Sequence, residues 1–324
     1  MTAVTAPRPL VGVVLLLFVS AAWGSAFPLM KDLIHRIPVA DLLAERYGLA
    51  TLVLLLLRPH CLRGLRENTW LTGILLGLLF GVGQTVQAVA LHDLPSSVSG
   101  FTVGSYVVIT PVLGLVLLGV RPSSRTWAAV ALAMAAMTAF TLLRGTGGAD
   151  ISLPALAVTL LSAVLYAGHT LVLGGFERAR QEGYAVAVIQ LGVIALMTGL
   201  LAVPDGLTLP ATAVDWAILG HLSVVACALG FLARSFGQAH VRPAPAAVIL
   251  SAQPLWVTAL AALVYGESLT WTVFLGGGLI AAAMLLVVLP GRQRPGEGEP
   301  GRGGVHRRVR EKPWRRVHEE PSGA

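Results

Sequence analysis

Residues 45–57 read ERYGLATLVLLLL, and residues 189–201 read IQLGVIALMTGLL. Laid over one another 144 residues apart, the stretches put Arg46 on Gln190, Gly48 on Gly192 and leucines on leucines. The correspondence continues with a slow drift. Trp70 meets Trp216 at a separation of 146, and at 147 Gly119, Leu132 and Met137 meet Gly266, Leu279 and Met284. Matches in this order, with drift that small loop insertions produce, mark a duplicated unit.

What the unit is follows from composition. The 324 residues are 55% hydrophobic and 12% charged, with a mean hydropathy of +0.77. Soluble domains carry about twice that share of charge. Crossing about 30 Å of hydrocarbon takes roughly 20 apolar residues as a helix, because backbone amides in lipid must be satisfied within the segment. Ten such runs are expected, at approximately Val11 to Met30, Val39 to Leu57, Trp70 to Leu91, Ser97 to Gly119, Thr126 to Leu143, Pro154 to Gly174, Tyr184 to Val203, Val214 to Gln238, Pro245 to Tyr265 and Thr270 to Leu289. Each repeat therefore holds five spans, over residues 10–145 and 153–290. Five is odd, so the second copy starts on the opposite side of the membrane. The expected fold is an all-α integral membrane protein, ten transmembrane helices arranged as two inverted five-helix repeats, with a substrate site near the midplane between them.

Basic residues orient the chain. With the N-terminus cytoplasmic, Arg58, Arg63, Arg66, Arg121, Arg125, Arg178, Arg180 and Arg242 fall inside, against Lys31, Arg36 and Arg144 outside, which puts both termini in the cytoplasm. The first run continues through Trp23 and Phe27 toward Met30, longer than a cleaved signal's apolar core, and reads as a retained helix. Cys61 in a loop and Cys227 in a helix make an unpromising disulfide pair. Residues 291–324 change character: nine basic and five acidic residues among Pro and Gly form a tail too polar to fold alone. It either stays solvated or rests HRRVREKPWRRVH on anionic lipid through Arg and Trp314. Because the tail supplies most of the net charge of +7, the basic balance gives no argument for nucleic-acid binding.

The penultimate and last spans meet in ALVYGESLTWTVFLGGGLI, residues 262–280, whose single carboxylate is Glu267. The corresponding turn of the first copy, LLGVRPSSRTW, has Val120 there. The segment from Ala246 through that turn to Leu285 resembles the closing half of an EamA repeat in the drug/metabolite transporter superfamily. WGSAFPLMKD from Trp23 and LLAERYGLATLVLLLL from Leu42 resemble the opening half of the first repeat. The resemblance covers residues 10–290. It implies a ten-helix exporter-like carrier of small metabolites in a bacterial inner membrane, driven by proton or substrate gradients. Val120 departs from the acidic residue common at that turn, and YAGHT at 166–170 stands where the first copy has WGSAF. Glu267 therefore reads as an interfacial anion beside Tyr265, with a proton-carrying role as its alternative.

Polar side chains within hydrocarbon are costly unless they face the bundle interior or a wet cavity. By depth, Gln84, Tyr106 and Gln253 lie near the middle of their spans, Trp23 and Trp256 lie within a turn or two, and Gln87 shares a helix face with Gln84. These are the substrate-binding candidates; helix-to-helix bonding is the other use of such groups. Amides, a phenol and indoles suit small zwitterions or aromatic metabolites better than phosphate esters, which would ask for buried Arg or Lys. His169 can titrate near neutral pH but sits five residues from a span end, where it reads as an interfacial residue. His221 lies as close to the opposite face. Arg234, a turn from a helix end, is placed to snorkel. Lys31 and Arg46, with Asp41 and Glu45 nearby, form either an electropositive mouth or a structural ion cluster. His169, Arg46, Lys31 and Glu267 are thus the candidates for proton coupling or substrate access. Gly73, Gly77 and Gly81 share one helix face for close packing, as Gly276–Gly278 do, and Pro111 and Pro254 mark kinks or packing points.

The sequence carries no H-E-x-x-H zinc motif, no G-x-S-x-G elbow, no P-loop and no metal-ligand cluster, and GVGQTV at 81–86 lacks the third glycine of a nucleotide fingerprint. The function expected is secondary transport of a small organic metabolite or drug-like compound, without cofactor, with protons as the coupling ion and membrane lipid as surroundings. A non-transporting receptor or scaffold and a membrane-embedded enzyme are the alternatives.

Overall fold

The computed structural model describes residues 9–94, 96–144, 152–176, 179–203, 206–253, 255–257, 259 and 271–289. Glu267, Tyr265, Pro254 and the basic tail lie outside the described residues. The helices are α1 Pro9–Leu33, α2 Val39–Leu57, α3 Glu67–Ala90, α4 Ser96–Gly104, α5 Tyr106–Leu118, α6 Ser124–Arg144, α7 Leu153–Gly175, α8 Ala179–Ala202, α9 Ala213–Gln238, α10 Pro243–Leu250 and α11 Trp271–Val288. No strand occurs among the described residues. Five helices, α1, α3, α7, α8 from Gln181 and α9, are long and apolar enough to cross a membrane. Helix α2 has 19 residues and would read likewise but for Asp41, Glu45 and Arg46.

The burial pattern inverts that of a soluble protein. Leu52, Leu56, Leu71, Leu75, Leu196 and Leu200 stand exposed on the outside, while Arg46, Gln84, Gln87, His169, Gln190 and Arg234 are buried. Lipid would bathe those leucines, and the polar groups find each other inside.

Close packing follows the glycines. A methyl on Gly73 would lie 2.8 Å from Ile189 Cβ, on Gly77 2.7 Å from Val193 Cβ and on Gly81 2.9 Å from Met197 Cε, so α3 and α8 run parallel along a seam only glycine permits. Helices α2 and α8 run antiparallel, since Ala44 faces Gly199, Gly48 faces Ala195 and Thr51 faces Gly192. The wider pairing is two-fold: α3 packs on α7 as α1 packs on α9, α3 on α8 as α2 on α9, α5 on α7 as α10 on α1, and α6 on α11.

Two expected spans are interrupted. The fourth breaks at Ser105, six residues before Pro111, which stays inside α5. There the Ser105 hydroxyl donates to the Thr102 carbonyl at 2.6 Å and its N–H reaches the same carbonyl at 3.2 Å, tightening the turn. The same device recurs 146 residues on: the Ser251 hydroxyl donates to the Val248 carbonyl at 2.6 Å and its N–H at 3.2 Å, ending α10. A serine that bonds its own backbone offers the chain an alternative to the helical ladder. At the second site Pro254, which has no amide to give the Leu250 carbonyl, adds to it. The eighth span begins at Ala213, one residue from the expected Val214, where Thr212 and Asp215 form a reciprocal capping box. Asp215 also receives Arg36 at 2.7 Å, while Arg36 holds Asp32 at 2.8 Å. These carboxylates, Asp32 foremost, keep the exposed guanidinium more firmly protonated than usual.

Candidate functional site

Residues recurring at helical spacing from both halves converge on one buried space. Helix α1 contributes Trp23, Ala26, Phe27 and Met30; α2 contributes Arg46 and Tyr47; α3 contributes Phe80, Gln84 and Gln87. Val103 of α4, Tyr106 of α5, Tyr166 of α7, Phe231 and Arg234 of α9, and Gln253 complete the wall. The space left free between these side chains is small, about 40 Å³, below the range of small-molecule sites, so a substrate would have to part them to enter.

Phe80 is the hub of its aromatic lining, with ring centroids 4.7 Å from Phe231, 4.8 Å from Tyr166 and 5.4 Å from Trp23. Hydrogen bonds fix the polar groups. Tyr47 donates to Gln84 Oε1 at 3.3 Å and Tyr166 to Gln87 Oε1 at 2.7 Å, which turns both amide NH2 groups away from those phenols. Tyr106 donates to the Ala247 carbonyl at 3.4 Å, joining α5 to α10.

Helix α9 carries a π-helical stretch, Leu222–Leu229, in its middle. Such a segment leaves a carbonyl available, and Trp23 Nε1 donates to that of Ala226 at 2.9 Å. Gly230 makes room for this bond, since a methyl there would lie 2.9 Å from the indole nitrogen. Gly230→Ala is therefore expected to displace Trp23 and lower stability by about 1–3 kcal/mol, the cost of an unmade buried hydrogen bond. Thermal unfolding with tryptophan emission as readout checks it: an unshifted midpoint with unchanged emission would contradict the packing.

Of the sequence candidates, Trp23, Gln84, Gln87, Tyr106, Gln253 and Arg46 line the cavity. Others stand elsewhere. Trp256 is 42% exposed and donates to Ser20 Oγ at 3.0 Å, and Lys31 reaches the Leu94 carbonyl at 3.0 Å. His169 packs fully buried behind Phe80, its Nε2 paired with Gln190 Oε1 at 2.9 Å and its Nδ1 unpartnered. Arg46 pairs with neither Asp41 nor Glu45 but donates to Cys227 Sγ at 2.9 Å and Met30 Sδ at 3.3 Å. Asp41 instead accepts from the Thr208 amide at 2.8 Å, and both Glu45 oxygens lack a partner.

Sequence reasoning missed Tyr47, Phe80, Tyr166 and Phe231 in the lining and, with most consequence, Arg234. It does not snorkel. Fully buried, it donates to Thr170 Oγ1 at 2.7 Å and Gln238 Oε1 at 3.1 Å, and its guanidinium lies 5.0 Å from the Trp23 ring. The end of α9 is itself covered by α1 and α7, so nearness to a helix end did not mean nearness to lipid. The usable signal was an arginine within an apolar span, which by cost alone indicates an interior position.

A wider cavity of about 660 Å³ is rimmed by Arg121, Arg125, His240 and Arg242 and reaches Thr110 and Ile249. On α5, Tyr106 lines the first space and Thr110, one turn on, lines the second; the Thr110 hydroxyl donates to the Tyr106 carbonyl at 2.7 Å.

The EamA-like transporter family model matches residues 10–142 and again 153–289. The uncharacterized inner membrane transporter YedA of Escherichia coli is 25% identical over 290 residues, 87% of this chain and 91% of that protein. An uncharacterized transporter of Archaeoglobus fulgidus is 24% identical over 277 residues, 85% and 84% of the respective chains. A protein known from a crystal structure has the same fold, with a TM-score of 0.69 at 17% identity over 86% of this chain and 95% of that one.

Proposed function

Since the chain belongs to the EamA-like transporter family of membrane proteins, we propose that it is a secondary carrier that moves a small organic molecule out of the cytoplasm through the central cavity by alternating access. The carrying observation is the convergence of polar and aromatic side chains from both family-matched segments on one buried space. Inverted repeats of five spans each are favoured by the antiparallel course of α2 and α8 and by the two-fold pairing of the other helices. In that arrangement the interrupted α4–α5 and α10 are equivalent discontinuous spans. The wide basic-rimmed cavity is then the cytoplasmic vestibule, as the bias of Arg toward that side suggests.

Counterflow in liposomes tests the carrier reading. Purified protein is reconstituted, loaded with a candidate substrate and followed with and without a pH gradient. Gln253→Ala is expected to lower flux about tenfold, the equivalent of about one charge-assisted hydrogen bond, whereas Leu56→Ala on the exposed face leaves it unchanged. Equal effects of the two substitutions would sink the cavity as the transport site.

A further inference from the structure

We propose, resting on the carrier reading, that the cavity takes an organic anion: a carboxylate on an apolar or aromatic body, without an ammonium group. The argument begins from two buried charges. Arg46 is 4% exposed and Arg234 2%, and among the described residues neither has a carboxylate within ion-pair distance; both ion pairs found there belong to Arg36. The described cavity lining contains no Asp or Glu at all. A buried cation without an anionic partner is among the costliest arrangements a fold retains. Arg46 spends its bonds on two sulfur atoms, which are weak acceptors. Arg234 bonds two neutral oxygens. Both arginines line the cavity, so the missing partner is the molecule that occupies it.

The same inventory selects among anions and corrects the sequence-based preference for zwitterions. An ammonium group would find two positive charges and no carboxylate. The rings of Trp23, Phe80, Tyr166 and Phe231 supply apolar faces for a flat body. Cys227, which touches Arg46, and Arg234 lie seven residues apart on α9, about 10 Å along a helix axis at 1.5 Å per residue. The guanidiniums thus sit at two levels, each suited to one planar carboxylate, and do not jointly clamp a phosphate.

The experiment compares ligands that differ only in charge on the intact protein in detergent. Benzoate, phenylacetate, 3-phenylpropanoate and indole-3-acetate are titrated against thermal stability, beside 2-phenylacetamide, phenethylamine, phenylalanine and phenyl phosphate. At least one acid is expected to raise the melting temperature and to bind about tenfold or more tighter than its amide or amine, the scale of one charge-assisted contact. Phenylalanine and phenyl phosphate should bind more weakly than the acid. Arg234→Gln and Arg46→Gln should each weaken the acid by a larger factor than they weaken the amide, and Arg234→Lys should recover part of the loss. The wild-type ligand series decides the matter even where a variant fails to fold. No shift with any acid, or an amine, amide, phenylalanine or phosphate bound as tightly, overturns the proposal. Counterflow of whichever compound binds separates the two readings: a bound acid that is not carried removes the carrier and keeps the anion site, and a carried amine does the reverse.

Discussion

Arg46→Met is expected to make the empty protein more stable and the transporter nearly inactive. The methionine fills similar space beside Met30 and Cys227, and the change removes a charge whose partners are two sulfur atoms. Replacing buried charge by apolar volume stabilises by about 1–4 kcal/mol where the charge is poorly compensated. Flux should meanwhile fall about 10- to 100-fold, the worth of one charged hydrogen bond to substrate. Arg234→Met should not share the gain, because it strands Gln238 Oε1, whereas the Thr170 hydroxyl keeps its bond to the Tyr166 carbonyl. Unfolding in detergent together with counterflow checks both halves. A destabilised Arg46→Met with normal flux would assign Arg46 a purely structural role.

Gln190→Leu is expected to be the most damaging single change away from the cavity. Gln190 is 1% exposed; its Oε1 meets His169 Nε2 at 2.9 Å and its Nε2 reaches Ser235 Oγ at 3.5 Å, joining α8 to α7 and α9. Leucine would leave His169 without a partner at either ring nitrogen, since Nδ1 already has none. Each buried polar atom so stranded costs about 1–3 kcal/mol, and the loss should appear as a lower melting temperature and reduced monodisperse yield. Gln190→Glu, which keeps an acceptor for the imidazole, should recover part of it. An unaltered melting temperature for Gln190→Leu would show that this bond contributes little.

Helix existence was legible in the sequence because apolar length is the constraint lipid imposes, and α1, α3, α7 and α9 start within a few residues of expectation. The glycine faces were legible for the same kind of reason: spacing of four places Gly73, Gly77 and Gly81 on one side, and that side meets α8. Pro111 and Pro254 marked the fourth and ninth spans for interruption, and both spans are irregular, the ninth at Ser251, three residues before Pro254. The place of the first was not legible: it falls at Ser105, because a serine turn leaves no composition signal, and Pro111 sits within α5. The cavity was half legible. Depth along a span found Gln84, Gln87, Tyr106 and Gln253, but direction around the helix cannot be judged by depth, which is why Trp256 turned outward and Arg234 inward. The alignment that set Arg46 on Gln190 identified equivalent positions while their chemistry diverged, one cationic at the cavity and one neutral beneath it.

The antiparallel meeting of α2 and α8 has a mechanical side. Ala44, Gly48 and Thr51 oppose Gly199, Ala195 and Gly192, so the contact is centred near Ala50 on one helix and Val193 on the other. In the carrier proposed above, a contact that maps onto itself when the halves are exchanged would act as a fulcrum. Rocking about it would lift one arm as the other sinks, and groups near the pivot would keep their depth. Arg46 lies one turn from that pivot, whereas Tyr106 and Gln253 ride on the arms beside the serine joints. A cargo held at the pivot would travel hardly at all; the membrane's two sides would be brought to it in turn.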